Sequence, residues 1–131
     1  MPGPDPSHWL HRLTPVEWLD AADTELVHAA ETLARRAFRP GVTHARRAAG
    51  MAWNAVLTAH PDERSGRSYM EHVVALSGDA TAPDEIRAAA QRLRDTPTAP
   101  PELLTLGKPD LAPAHDARAI LNHARRLLAP N

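Results

Sequence analysis

Between Thr43 and Ala59 this chain places alanine where a helix of that size usually carries leucine. Ala45, Ala48, Ala49, Ala52, Ala55 and Ala59 recur at spacings of three and four, with Gly50 among them. Small side chains at helical period let a second backbone approach closely, so this segment is expected in the middle of a compact helical bundle. Met51, Trp53, Val56 and Leu57 supply its bulk. Apolar residues are 43% of the chain but aromatics only 4%, so the core must be filled by alanine, leucine and valine. That filling suits helices better than a sheet, and no alternating strand pattern or internal repeat is found.

The 131 residues suffice for one domain with a real core and fall short of two ordinary ones. The expected division is an irregular, proline-rich arm over 1–13, carrying Trp9, and a single bundle domain over 14–131. Cysteine is absent, which excludes disulfides, thiolate catalysis and cysteine-ligated metals. The start of the chain has no positive, apolar leader pattern, and no later run approaches a membrane span, so a cytoplasmic location is expected. Net charge is −1, so the chain as a whole is no generic polyanion binder. Lys108 is the lone lysine; every other basic residue is arginine, a planar fork that grips carboxylate or phosphate with two bonds.

The first helix opens clearly. Thr14 reads as N-cap, Pro15 as the first helical residue, and Glu17 completes a capping box, with Leu13 and Trp18 as a hydrophobic staple. Trp18, Ala22, Leu26, Ala29, Leu33 and Ala37 form its apolar stripe, acids lie early and Arg35, Arg36 and Arg39 late, and Pro40-Gly41 is expected to end it. The alanine-rich second helix runs to His60-Pro61. Ser68 and Glu71 open a short third helix that Gly78 stops; Pro83 starts a fourth, with Ile86, Ala89, Ala90 and Leu93 inward. Residues 95–111 form a proline-rich irregular connector. Pro113 begins a final helix with Ala117, Ile120, Leu121, Ala124 and Leu128 on its inner face. Short turns between neighbours predict an all-α, up-and-down antiparallel bundle of four or five helices.

The run Gly41-Val42-Thr43-His44-Ala45-Arg46-Arg47-Ala48-Ala49-Gly50-Met51-Ala52-Trp53-Asn54-Ala55-Val56-Leu57 resembles the second helix of HEPN domains, where a His-Ala step opens an alanine-rich helix. Gly66 to Leu76 is similar to the third-helix region of that family, with His72 before the apolar stripe, and Ala114 to Leu128 to its closing helix. The resemblance covers 15–128 in layout and is specific over 41–76. It implies a four- or five-helix bundle, frequent homodimers, and a choice of roles. Some relatives are ribonucleases of toxin or defence type; others are inert or substrate-binding companions of small nucleotidyltransferases.

HEPN ribonucleases carry Arg-x(4–6)-His, usually with a polar residue after the arginine, so that arginine polarises phosphate while histidine assists attack by the 2′-hydroxyl. Arg118…His123, Arg67…His72 and Arg39…His44 all have this spacing. Chance alone supplies roughly 2–3 such pairs in a chain this rich in arginine and histidine, so the motif is weak. Arg118 and His123 are the candidate catalytic pair by position. Ala119 departs from the polar pattern, and five steps along a helix put the two about 140° apart. A solvated arginine and a histidine near a helix C-terminus account for them equally well.

A denser basic stretch comprises Arg35, Arg36, Arg39, His44, Arg46 and Arg47. It straddles the first hairpin, so free N–H groups at the start of the second helix would be flanked by arginine forks, a setting for a phosphate or an acidic partner. Dipole complementation and a wet helix face explain the same residues. Arg64 and Arg67 belong to the opposite end. The eight histidines are read as individual residues: His8 and His11 on the arm, His115 and His123 two turns apart, His28, His60 and His72 scattered. A bundle metal site needs three ligands converging from different helices; no Glu-x-x-His or His-x-x-x-His pair is expected on a helix, and no metal or cofactor is expected. Trp18 and Trp53 are expected in the core.

The leading expectation is thus a non-catalytic, HEPN-like binding or interaction module for a nucleotide, an RNA or an acidic protein partner. A metal-independent ribonuclease is the alternative. The resemblance adds a nucleotidyltransferase partner and a homodimer.

Overall fold

The computed structural model describes residues 12–97 and 108–130. The arm through His11, with His8 and Trp9, and the middle of the connector lie outside the described residues. Among the described residues five helices pack together: α1 (Pro15–Ala34), α2 (Phe38–Ala59), α3 (Tyr69–Ser77), α4 (Asp84–Asp95) and α5 (Ala112–Leu128), with a 3-10 turn at Glu63–Ser65 between α2 and α3. Among the described residues there is no strand. The fold is an all-α helical bundle, as the alanine pattern predicts, and no helix in it is long and apolar enough to cross a membrane.

α2 is the axis of the bundle and touches all four other helices. Ala45, Ala48, Ala49, Ala52 and Ala55 are buried almost completely, whereas Ala59, at the last position, is exposed. Gly50 shows how close the neighbours come: a Cβ there would stand 2.6 Å from the Tyr69 Cα, so α3 starts directly on the α2 backbone. Leu33, Ile86, Leu93, Ile120 and Leu121 fill the space between the helices from the other side. Trp18 and Trp53 are buried.

The helix starts follow local chemistry. At α1 the Thr14 N–H donates to Glu17 Oε1 at 3.0 Å and the Glu17 N–H to Thr14 Oγ1 at 3.2 Å, a complete capping box. Ser68 accepts from the Glu71 N–H at 3.0 Å, and Gly78 is the C-cap of α3.

The first hairpin differs from the sequence expectation. α1 ends at Ala34, and Pro40-Gly41 lies inside the first turn of α2 instead of terminating α1. Proline is tolerated there because the first helical N–H groups have no intrahelical acceptor. Gly41 lets α2 close on Leu33, since a Cβ would meet the Leu33 Cγ at 2.6 Å. The end of α1 is a Schellman turn: Ala37 N–H to Thr32 O at 3.1 Å and Arg36 N–H to Leu33 O at 2.9 Å. Its left-handed position, normally glycine, is Arg36 at φ +65°. Arg35, Arg36 and Arg39 therefore sit beyond α1 and not in its last turn, which carries no basic residue.

Candidate functional site

The basic stretch splits in the structure. Arg35, Arg36 and Arg39 are exposed around the α1–α2 turn. Arg39 lies in the first turn of α2, a turn with no acidic residue and no side-chain cap. A cation there opposes the helix dipole. The ion pairs of the described residues occupy Arg47, Arg64, Arg87, Arg92, Arg94, Arg118 and Arg125. Arg35 and Arg39 take part in none of them.

Arg46 does not join this surface. Its Nε donates to the Leu93 carbonyl at 2.9 Å and its Nη2 to the Thr96 carbonyl at 2.7 Å, so it closes the C-terminus of α4. Burial lowers its pKa from the ordinary guanidinium value. Arg47 and His44 turn instead to Glu25 on α1: His44 Nδ1 stands 2.5 Å and Arg47 Nε 3.4 Å from Glu25 Oε1. Glu25 is buried.

Arg118 and His123 serve different seams. Arg118 shares the Asp23 carboxylate of α1 with Arg125, each at 2.9 Å, and the pair holds that carboxyl below the usual carboxylate range. His123 is buried and stacks on Trp53 of α2, with ring centroids 6.1 Å apart and planes at 14°. Burial holds its imidazole below the ordinary histidine value, Arg126 pushes the same way, and Glu85 and Asp79 oppose.

Arg67 is exposed, whereas His72 is fully buried. The His72 Nδ1 donates to the Ser65 carbonyl at 2.6 Å, and its Nε2 lies 2.8 Å from the Asn54 carboxamide. Burial keeps this ring neutral, so a single proton sits on Nδ1. The Asn54 Oδ1 faces Nε2, and its buried Nδ2 has no hydrogen-bond partner among the described residues; a half-turn of the amide would set the NH2 against the Nε2 lone pair. His72 thus holds the 60–68 loop against α2. Arg64 is bound to Asp62 at 3.0 Å. The loop and α3 meet α2 at Gly50 and Asn54, about 18–24 Å along the helix from its start at Phe38 at 1.5 Å per residue, so they do not join the α1–α2 turn.

Two features escape the sequence reading. One is a cleft of about 330 Å³ over Trp53 and His123, rimmed by His60, Asp62, Asp79 and Thr81. Its carboxylates already accept from Arg64 and Thr81. The other corrects the view of the histidines as scattered: Glu25-Leu26-Val27-His28 is itself a Glu-x-x-His pair on α1. Glu25, His28 and His44 bring one ligand atom each to within 4.8 Å of one another. The sequence signal was the i, i+3 spacing on α1; the missing part was the register that brings His44 opposite.

Comparison with family models, with curated proteins and with solved structures gives no match.

Proposed function

We propose that this chain is a non-catalytic, HEPN-like binding module that takes a phosphate-bearing ligand, a nucleotide or RNA, at the α1–α2 end of the bundle. One observation carries the reading: among the described residues seven arginines are held in ion pairs and Arg46 on helix-end carbonyls, whereas the exposed Arg35 and Arg39 join no ion pair and flank the α1–α2 turn, Arg35 at the C-cap of α1 and Arg39 in the uncapped, acid-free first turn of α2. A bound phosphate would meet the first N–H groups of α2 and the two forks together, and would offset the unfavourable charge of Arg39 against the dipole. Arg36 in a left-handed conformation adds weight, because non-glycine residues held there cluster at functional sites.

The alternative, a metal-independent ribonuclease, asks Arg118 and His123 to address one scissile phosphate. It draws less support, since Arg118 is engaged on Asp23 and His123 stacks under Trp53. With the HEPN resemblance goes an association with a second copy or a nucleotidyltransferase. Val16 and Val27, both exposed, would offer α1 as the apolar contact.

The test is fluorescence anisotropy of a labelled single-stranded RNA in chelator, with the same RNA followed on a gel. The parent should bind and leave the RNA intact. Arg35→Ala/Arg39→Ala should weaken binding and reduce the salt slope by about 1.4, roughly 0.7 per lost phosphate contact. Failure of the parent to bind overturns the module reading. Cleavage that His123→Ala abolishes would replace it with the ribonuclease.

A further inference from the structure

α1 and α2 form an antiparallel hairpin turning at Arg36. Residues equally far from Arg36 in sequence face one another across it: His28 opposite His44, and Glu25 opposite Arg47. The rings of His28 and His44 meet edge to face, with centroids 5.8 Å apart and planes at 68°. The Glu25 carboxylate, one turn from His28 on the same helix, reaches His44 Nδ1 at 2.5 Å.

We propose that Glu25, His28 and His44 bind a divalent first-row transition metal ion of the Zn²⁺ class, independently of any anion at the α1–α2 turn. The donor set is one carboxylate and two imidazoles, a ligand choice that suits these metals. Ligand atoms around a tetrahedral Zn²⁺ stand about 3.3 Å apart, given bonds of about 2.0–2.1 Å. The three atoms here lie within 4.8 Å of one another, and the rings that must adjust are on the accessible side, His28 exposed and His44 half-buried. Helical bundles that hold metals use Glu-x-x-His pairs together with ligands from neighbouring helices; here one such pair on α1 is joined by His44 of α2.

An ion pair between Glu25 and its α2 partners would satisfy the buried carboxylate without His28. The third ligand is what the ion pair leaves unexplained. Three protein ligands leave a coordination position on the exposed His28 side, which water fills, as in open zinc sites. Arg47, half-exposed, competes for the same carboxylate oxygen and must move outward when the ion binds.

The experiment titrates the full chain with ZnCl2 alone by calorimetry in chelator-free buffer. Co²⁺ absorption reports the ligand geometry. One saturable site per chain is expected. His28→Ala opens no core cavity, since the ring is exposed, so its unchanged melt without metal certifies the fold. It should bind Zn²⁺ at least about tenfold more weakly, because even the outer partners of metal ligands are worth about 10–100-fold. His44→Ala should do the same, and Arg47→Ala should bind at least as tightly as the parent. No saturable binding by the parent overturns the proposal. So does parent affinity retained by either histidine variant, which would place the ion on other histidines.

Discussion

Arg46 on α2 donates from Nε to the Leu93 carbonyl of α4 at 2.9 Å, and the same guanidinium reaches Thr96 just beyond the helix end. The last carbonyls of a helix have no internal donors, so a fork arriving from a neighbouring helix closes the end and fastens the two together. Charged hydrogen bonds of this kind contribute about 1.5–3 kcal/mol each at most, and stranding buried carbonyls adds to the loss. Arg46→Ala is therefore expected to lose about 2 kcal/mol of stability in urea unfolding while leaving RNA affinity unchanged once folded. Arg46→Lys, a point charge without the fork, should recover only part. An Arg46→Ala chain as stable as the parent would remove this structural role.

Gly50 and Gly78 should respond oppositely to the same change. Alanine at Gly50 would drive a methyl into Tyr69, whose Cα is 2.6 Å from the added Cβ. Overpacking a seam of this kind costs about 1–3 kcal/mol, which outweighs the roughly 1 kcal/mol that alanine gains in a helix interior. Gly78 has φ −110°, and an added Cβ there meets nothing within 4 Å. Alanine at Gly78 should stabilise by about 0.4–1 kcal/mol through the unfolded chain. Thermal melts of the two variants check both signs.

Much of the architecture can be read before any coordinates exist, because it rests on local rules. Thr14 with Glu17, and Ser68 with Gly78, mark helix ends through their own side chains or their lack of one. The alanine period marks α2 as the packed axis. The α1–α2 turn is illegible for a definite reason: its signal position is Arg36, where the rule looks for glycine, so Pro40-Gly41 attracts the assignment instead. That displacement of a few residues also moves Arg39 from the tail of one helix into the first turn of the next, while Arg35 becomes the C-cap of α1. The fate of Arg46 is equally hidden, since its acceptors are main-chain oxygens about fifty positions away. Likewise Glu25 and His28 signal a pair, but the third ligand follows only from hairpin register.

His72 and His123 predict how stability varies with pH. Burial holds both rings below the ordinary histidine pKa, against the Ser65 carbonyl and then Glu71 at His72, and against Glu85 and Asp79 at His123. The unfolded chain therefore takes up protons first as pH falls. The stabilisation is complete above about pH 6.5 and declines below it, with a slope of at most about 1.4 kcal/mol per pH unit for each ring. Asp23, whose pKa is lowered by Arg125 and Arg118, titrates only below the ordinary carboxylate value and stays out of this window. Urea midpoints should drop between pH 7.5 and pH 5.5. In His123→Phe, which keeps a ring on Trp53, the drop should be smaller; an equal drop would exclude His123 as a contributor.

Arg36 sets stability against binding. A non-glycine residue in the left-handed region pays about 1 kcal/mol or more through its Cβ, and here nothing in the Schellman hydrogen bonds requires a side chain. Arg36→Gly relieves that strain, less about 0.4–1 kcal/mol for the added freedom of the unfolded chain and less the contact the Arg36 side chain makes, so the melting temperature should rise only slightly. The same change deletes one cation beside Arg35 and Arg39. If that corner takes phosphate, the more stable variant binds single-stranded RNA more weakly, with a salt slope lower by up to about 0.7. Arg36→Asn separates the two effects: asparagine tolerates the left-handed conformation, so it should keep much of the gain in stability while still lacking the charge. A gain in stability with RNA affinity unchanged in both variants would take Arg36 out of the ligand surface and leave its strain without a functional reason.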